Sequence, residues 1–164
     1  MQRKRKSKII LVLLIVLLIV TGCKKEDTDA LKFKREFEQY NDTLSKVNID
    51  EDNPFIITND VYSLVENEKA FVVLYGNAKN EETRNIVEDV ISVAKKSNLK
   101  KVYFVSVNEE DTIEFGGHKI ENMPSLVSVI RKEVSLIVND KDSINLVIDP
   151  VVQELSSCDI DVGC

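Results

Sequence analysis

Residues 71–96 read FVVLYGNAKNEETRNIVEDVISVAKK, and they decide the fold. The apolar run 70–75 is short and unbroken. It predicts a strand buried on both faces, as in a sheet covered by helices on each side. Gly76 opens a turn. Asn80 is a preferred helix N-cap, and Glu81 and Glu82 suit the positive end of a helix dipole. Beyond them, Ile86, Val87, Val90, Ile91, Val93 and Ala94 fall on one side of a 3.6-residue period. Glu88, Asp89, Ser92, Lys95 and Lys96 fall on the other, so an amphipathic helix follows, ending at Ser97 or Asn98. Residues 101–107, KVYFVSV, supply a second central strand. Strand, helix and strand at this spacing form a βαβ unit with a right-handed crossover.

Working outward, Ile113-Glu114-Phe115 and His118-Lys119-Ile120 flank Gly116-Gly117, a two-residue hairpin signal. Met123-Pro124-Ser125 precedes an apolar strand over 126–130, and a polar turn at 131–133 returns the chain through 134–138 as an antiparallel partner. Asp142 or Ser143 is positioned to cap a last helix, in which Pro150 predicts a kink or a fresh start. Upstream, Phe33 and Phe37 with Ala30, Leu31 and Tyr40 mark a helix that leads into the domain and packs on it, or else binds a partner. Residues 47–52 alternate weakly, as an extended edge would. Asn53-Pro54 is a turn, 55–57 a short strand, and Thr58, Asn59 or Asp60 caps a helix running to about residue 68.

The first 22 residues are a targeting segment. Arg3, Lys4, Arg5, Lys6 and Lys8 precede 12 unbroken apolar residues, 9–20, too few for a spanning helix of about 20 residues. The ending Val20-Thr21-Gly22-Cys23 resembles the lipobox of bacterial lipoproteins, which implies cleavage before Cys23 and lipidation of its thiol. The alternative is an uncleaved signal anchor. Five of the chain's 22 basic residues lie in this segment and none of its 28 acidic ones, so cleavage leaves a net charge near −11. Such a chain gains nothing from phosphate backbones or anionic headgroups, which argues against nucleic-acid partners. Membrane attachment then rests on the lipid anchor. The balance of 43% hydrophobic and 30% charged residues is that of an ordinary globular domain.

The element order, together with EQYNDT, DNPFII, VVLYGNAKNEETRN and NMPSLVSVIRKEV, resembles the small thioredoxin-like lipoproteins of Gram-positive bacteria, sometimes labelled bacteriocin-transport accessory proteins. The resemblance covers roughly residues 37–138. It implies an α/β thioredoxin-like fold, a central mixed sheet flanked by helices. In that family the site reads approximately YFGxxTCPxCRN. Gly76 matches its glycine and Arg84-Asn85 its last two residues, so Asn80 and Thr83 stand where the two cysteines belong. Pro124 matches the family's cis proline ahead of the fourth strand. From the residues alone it reads as a trans proline opening an edge strand.

Disulfide exchange needs a thiolate, activated at a helix N-terminus, and a second thiol to release the mixed disulfide. Asn80 has no nucleophile, and the Thr83 hydroxyl has no base in sight; His118, the single histidine, reads as a surface residue. With Cys23 assigned to lipid, Cys158 and Cys164 remain as a pair outside the cytoplasm. A disulfide there closes a seven-residue loop and contributes about 2–3 kcal/mol in the chain-entropy model. The alternatives are an exchange-active pair, disfavoured by Asp159 and Asp161, which raise thiol pKa, and metal binding by these four residues. No cofactor or other metal is implied.

The expected organisation is a signal peptide over 1–22, a tether and lead-in helix over 23–45, a thioredoxin-like domain over 46–157 and a cysteine-containing tail over 158–164. The expected function is a lipid-anchored, extracytoplasmic accessory module that binds an envelope protein or peptide. The rival is a thiol–disulfide oxidoreductase using Cys158 and Cys164. A solute-binding lipoprotein is a third reading, opposed by the lack of two lobes with a cleft between them.

Overall fold

Continuous apolar runs become the central strands of this protein, and runs of period 3.6 become the helices that cover them. The computed structural model describes residues 28–41 and 46–158, the last of these in its backbone alone. The signal segment, Cys23, the side chain of Cys158, and Cys164 therefore lie outside the described residues.

In chain order the elements are α1 (Asp29–Glu38), β1 (Phe55–Ile57), α2 (Val61–Asn67), β2 (Ala70–Gly76), α3 (Glu81–Lys96), β3 (Val102–Ser106), β4 (Ile113–Phe115), β5 (His118–Ile120), β6 (Ser125–Ile130), β7 (Glu133–Val138), a 3₁₀ turn (Lys141–Ser143) and α4 (Ile144–Cys158). The main sheet has five strands in the order β1-β3-β2-β6-β7. β1, β3 and β2 run parallel, and β6 and β7 run antiparallel to their neighbours. β4 and β5 form a separate hairpin. The protein is thus α/β, with a mixed sheet flanked by helices, as expected.

β2 shows why the sheet must be covered twice, since all seven of its residues are buried. Val72 and Leu74 face one cluster with Phe33, Phe37, Phe55, Phe104, Val87, Val90 and Ile148, contributed by α1, α3, α4 and the sheet. Phe71, Val73 and Tyr75 face the other, closed by Val61 of α2 and by Phe115, Ile120 and Met123 around the hairpin. Burying a large apolar side chain contributes about 1.5–3 kcal/mol, so α1 is a substantial part of this core. Phe33 and Phe37 are fully buried, and Phe33 stacks on Phe55 at 4.2 Å. The apolar stripe of α1 is therefore spent inside the molecule and does not form a free partner-binding face.

Two local expectations are corrected. Residues 47–52 form no strand: the Val47 amide donates to Asn41 Oδ1 at 3.2 Å and the Asn48 amide to Glu88 Oε1 at 2.7 Å, so side chains, not a neighbouring strand, satisfy this backbone. The 3₁₀ turn ahead of α4 is capped by Asp140, whose carboxylate accepts from the Ser143 amide at 2.9 Å. Pro150 lies inside an uninterrupted α4, so it does not start a second helical piece. The carbonyl it leaves without an amide is that of Leu146, a residue 62% exposed, where water can take over the bond.

Candidate functional site

The chain leaves the sheet at Gly76, between a parallel neighbour and an antiparallel one. Gly76 pairs with Ser106 of β3, and Tyr75 pairs with Ser125 of β6. The N-terminus of α3 therefore stands at the carboxyl edge of the parallel strands, at the point where strand direction reverses. Open α/β sheets bind ligands outside the carboxyl ends of their parallel strands.

Asn80 caps α3. Its Oδ1 accepts from the Thr83 amide at 2.8 Å, and its Nδ2 donates to Glu109 Oε1 at 2.6 Å. Both ends of the amide are engaged. Thr83 is fully buried, and its hydroxyl accepts from the Asn77 amide at 3.3 Å. Asn77 in turn donates from Nδ2 to the Val107 carbonyl at 3.2 Å and accepts from the Lys79 amide at 3.0 Å, which fastens the 77–80 turn to the end of β3. Gly76 is required here by close approach: a Cβ at this position would lie 2.7 Å from Thr83 Cγ2.

Beneath the turn lies Arg84, fully buried. Its Nη1 donates to the Phe37 carbonyl at 2.8 Å and to the Ala78 carbonyl at 3.4 Å, and its Nη2 donates to Asn41 Oδ1. It ties the end of α1 to the turn and to α3. Burial lowers its pKa and the Glu88 carboxylate works against that. The guanidinium remains charged at any physiological pH. Glu36 of α1 is half-buried, and burial raises its carboxyl pKa, partly offset by the Ser106 hydroxyl. Lys79 Nζ stands 5.9 Å from the Tyr40 ring centroid, a weak cation–π contact.

The Met123–Pro124 peptide bond is cis, and by register Pro124 precedes the Ser125–Tyr75 pair beside Gly76. Asn139 holds this corner. Its Nδ2 donates to the Asn122 carbonyl, to the Pro124 carbonyl at 3.0 Å and to Ser125 Oγ at 2.6 Å. Asn122 takes a positive φ of 61°, which asparagine tolerates better than most residues.

Asn80, Thr83 and Pro124 thus converge on one edge. Thr83 and Pro124 are buried and give support, while Asn80 is half-buried among the exposed Lys79, Glu81, Glu82 and Glu109. No nucleophile faces solvent at these positions. His118 is exposed on β5 in the hairpin. The arrangement can present backbone and side-chain polar groups to a ligand. Arg84, Asn77, Glu109 and Asn139 were missed by sequence reasoning. The burial of an arginine inside a helix pattern carries no local signal, because Phe37 and Asn41, which hold it, lie 47 and 43 residues away.

The remaining cysteine positions lie elsewhere. α4 runs back to the amino edge of the sheet, where Glu154 meets Arg131 and Lys69. The backbone of Cys158 is therefore at the end opposite Asn80. A groove of about 350 Å³ lies at that amino edge, lined by Phe71, Leu99, Lys101, Tyr103, Val152 and Leu155 among others. In it the Tyr103 hydroxyl donates to Glu68 Oε1 at 2.9 Å; burial, then that carboxylate, push its pKa up to about 12. Among the described residues no group of His, Cys, Asp and Glu side chains is arranged to hold a metal ion, and no helix is long and apolar enough to cross a membrane. No protein-family model matches the chain, and no curated protein matches it either.

Proposed function

We propose that this protein is a lipid-anchored, extracytoplasmic thioredoxin-like module that binds an envelope protein or peptide and does not perform thiol–disulfide exchange at Asn80 and Thr83. The observation that carries this reading is the satisfied state of those two side chains. Asn80 uses its carbonyl to cap α3 and its amide to hold Glu109, and the Thr83 hydroxyl is consumed by the Asn77 amide. The helix start that would activate a thiolate is retained, with Glu81 and Glu82 in its first turn where a thiolate would be repelled. The sheet order β1-β3-β2-β6-β7 supports the thioredoxin-like assignment, with the β4–β5 hairpin covering the face between β3 and β6. The binding role follows from fold analogy, since a retained scaffold without its chemistry still offers its surface.

An insulin-reduction assay on the mature chain tests the reading. The expected result is no turnover above the uncatalysed rate. Turnover that disappears in Cys158→Ser or Cys164→Ser would establish the rival, an oxidoreductase working through its tail. Lipidation is tested separately. Cys23→Ala is expected to abolish incorporation of labelled lipid and leave the signal segment uncleaved; identical processing and the same lack of lipid label in both forms would remove the anchor.

A further inference from the structure

We infer that residues 108–112 are a strap latched to the start of α3 by the Asn80–Glu109 hydrogen bond, and that the closed strap withholds the Asn80 side-chain amide from a partner. That a partner comes to this edge rests on the binding role proposed above; the latch itself does not.

The strap hangs between two fixed ends. Val107 is buried, its amide donates to the Gly76 carbonyl at 2.9 Å, and its carbonyl accepts from Asn77 Nδ2 at 3.2 Å. Up to this point the chain is fastened to the turn that leads into α3. At the other end Ile113 pairs with Ile120 in the β4–β5 hairpin. Between them residues 108–112 are all exposed. They close on themselves. The Asn108 amide and Nδ2 both donate to Asp111 Oδ2, at 2.8 and 3.2 Å, and the Asp111 amide donates to the Asn108 carbonyl at 3.1 Å. This turn carries Glu109 and Glu110 at its tip. Glu109 Oε1 accepts from Asn80 Nδ2 at 2.6 Å, and among the described residues this is the one hydrogen bond from the strap to the rest of the fold.

Charge leaves the strap poised. Glu109, Glu110 and Asp111 close onto a helical turn that already holds Glu81 and Glu82. The cation of that neighbourhood, Lys79, has its Nζ 5.9 Å from the Tyr40 ring centroid. Like charges oppose closure, while the positive end of α3 and the Asn80 amide favour it. A single charge-assisted hydrogen bond therefore decides where the strap sits. The two ends of the Asn80 side chain do different work. Its Oδ1 caps α3 through the Thr83 amide whether the strap is shut or open. Its Nδ2 is the end that opening releases, on the edge shared with Thr83 and Pro124. Glu109 thus occupies the donor that an acceptor on a partner would meet, which makes the contact autoinhibitory.

NMR on the nitrogen-labelled mature chain tests the latch. Glu109→Ala cuts it and leaves the α3 cap untouched. The backbone order parameters of residues 109–111 are expected to fall from the rigid range, about 0.85, to below about 0.6. The Asn80 Nδ2 protons are expected to exchange with water about two- to ten-fold faster. Glu109→Gln keeps an acceptor oxygen and is expected to stay close to the parent protein. Asn80→Asp keeps a cap of equal quality but sets a carboxylate against Glu109, so it is expected to free the strap. Adding Glu109→Gln to Asn80→Asp exchanges donor and acceptor and is expected to restore the rigid values. A strap equally rigid or equally mobile in Glu109→Ala and the parent overturns the latch, as does a double variant that stays mobile. Either failure leaves the binding role standing, because none of these measurements involves a partner.

Discussion

Gly76 and Thr83 form a contact that can be tested from both sides. Gly76→Ala forces a Cβ to within 2.7 Å of Thr83 Cγ2 and 2.9 Å of Thr83 Oγ1. Overpacking of this kind costs about 1–3 kcal/mol. Thr83→Ala removes the crowding atoms together with the acceptor for the Asn77 amide, so it destabilises as well. In the Thr83→Ala background the Gly76→Ala change is expected to become nearly neutral, a coupling of about 1–2 kcal/mol in a double-mutant cycle read by urea unfolding. Additive effects would mean that the turn relaxes and that the contact does not shape it. Asn80 was legible in the sequence as a helix cap because capping is a local chemistry. Its bond to Glu109 was not, because 29 residues separate the two.

The β6–β7 hairpin turns through two non-glycine residues, Arg131 at φ 52° and Lys132 at φ 71°. This is the primed turn that suits the twist of a hairpin, built here from costly residues. A left-handed conformation costs an L-residue about 1–2 kcal/mol, and glycine gives back about 0.5–1 kcal/mol in backbone entropy. The Lys132–Glu66 pair, 3.3 Å apart with both side chains more than half exposed, weighs little against that. Lys132→Gly is therefore expected to raise stability by about 0.5 kcal/mol, measured as a higher urea midpoint; a lower midpoint would show that the surface pair dominates. The hairpin itself was readable from the polar break between two apolar runs. The absent strand at 47–52 was not, because weak alternation reads the same whether a backbone meets another strand or the side chains of Asn41 and Glu88.

At the scale of the molecule, Glu154 closes the amino edge. Its carboxylate accepts from Arg131 at 3.0 and 3.1 Å and pairs with Lys69 at 3.0 Å, joining α4 to the β6–β7 turn and to the chain just ahead of β2. The Arg131 hydrogen bonds first, and Lys69 second, hold its pKa below the usual carboxylate value. The unfolded chain then binds the proton more readily than the folded one. The stability from this group is complete above the unfolded pKa, near 4.5, and is lost as pH falls through the depressed folded value. Glu36 acts with the opposite sign: burial raises its folded pKa, so it subtracts stability as pH rises through the ordinary carboxylate range. Urea midpoints between pH 3 and 7 check both. Glu154→Gln is expected to flatten the acid-side loss, and Glu36→Gln to raise stability at neutral pH. Unchanged profiles would show that neither environment survives in solution.

Apolar period, capping residues and hairpin turns act over a few neighbouring positions, so most of the elements and the ends of α3 were legible in the sequence, the extended edge at 47–52 excepted. The sequence by itself also determined that Asn80 and Thr83 carry no thiol, which is a matter of residue identity alone. The tertiary structure decided what those side chains do instead. It decided that the stripe of α1 is core, because only the sheet shows which face Phe33 and Phe37 meet. It decided that Arg84 is a buried tie, that α4 continues through Pro150, and that the chain enters at one edge while the Asn80 turn lies at the other. These depend on contacts between residues far apart in the chain, and no local pattern of residues encodes such a distance.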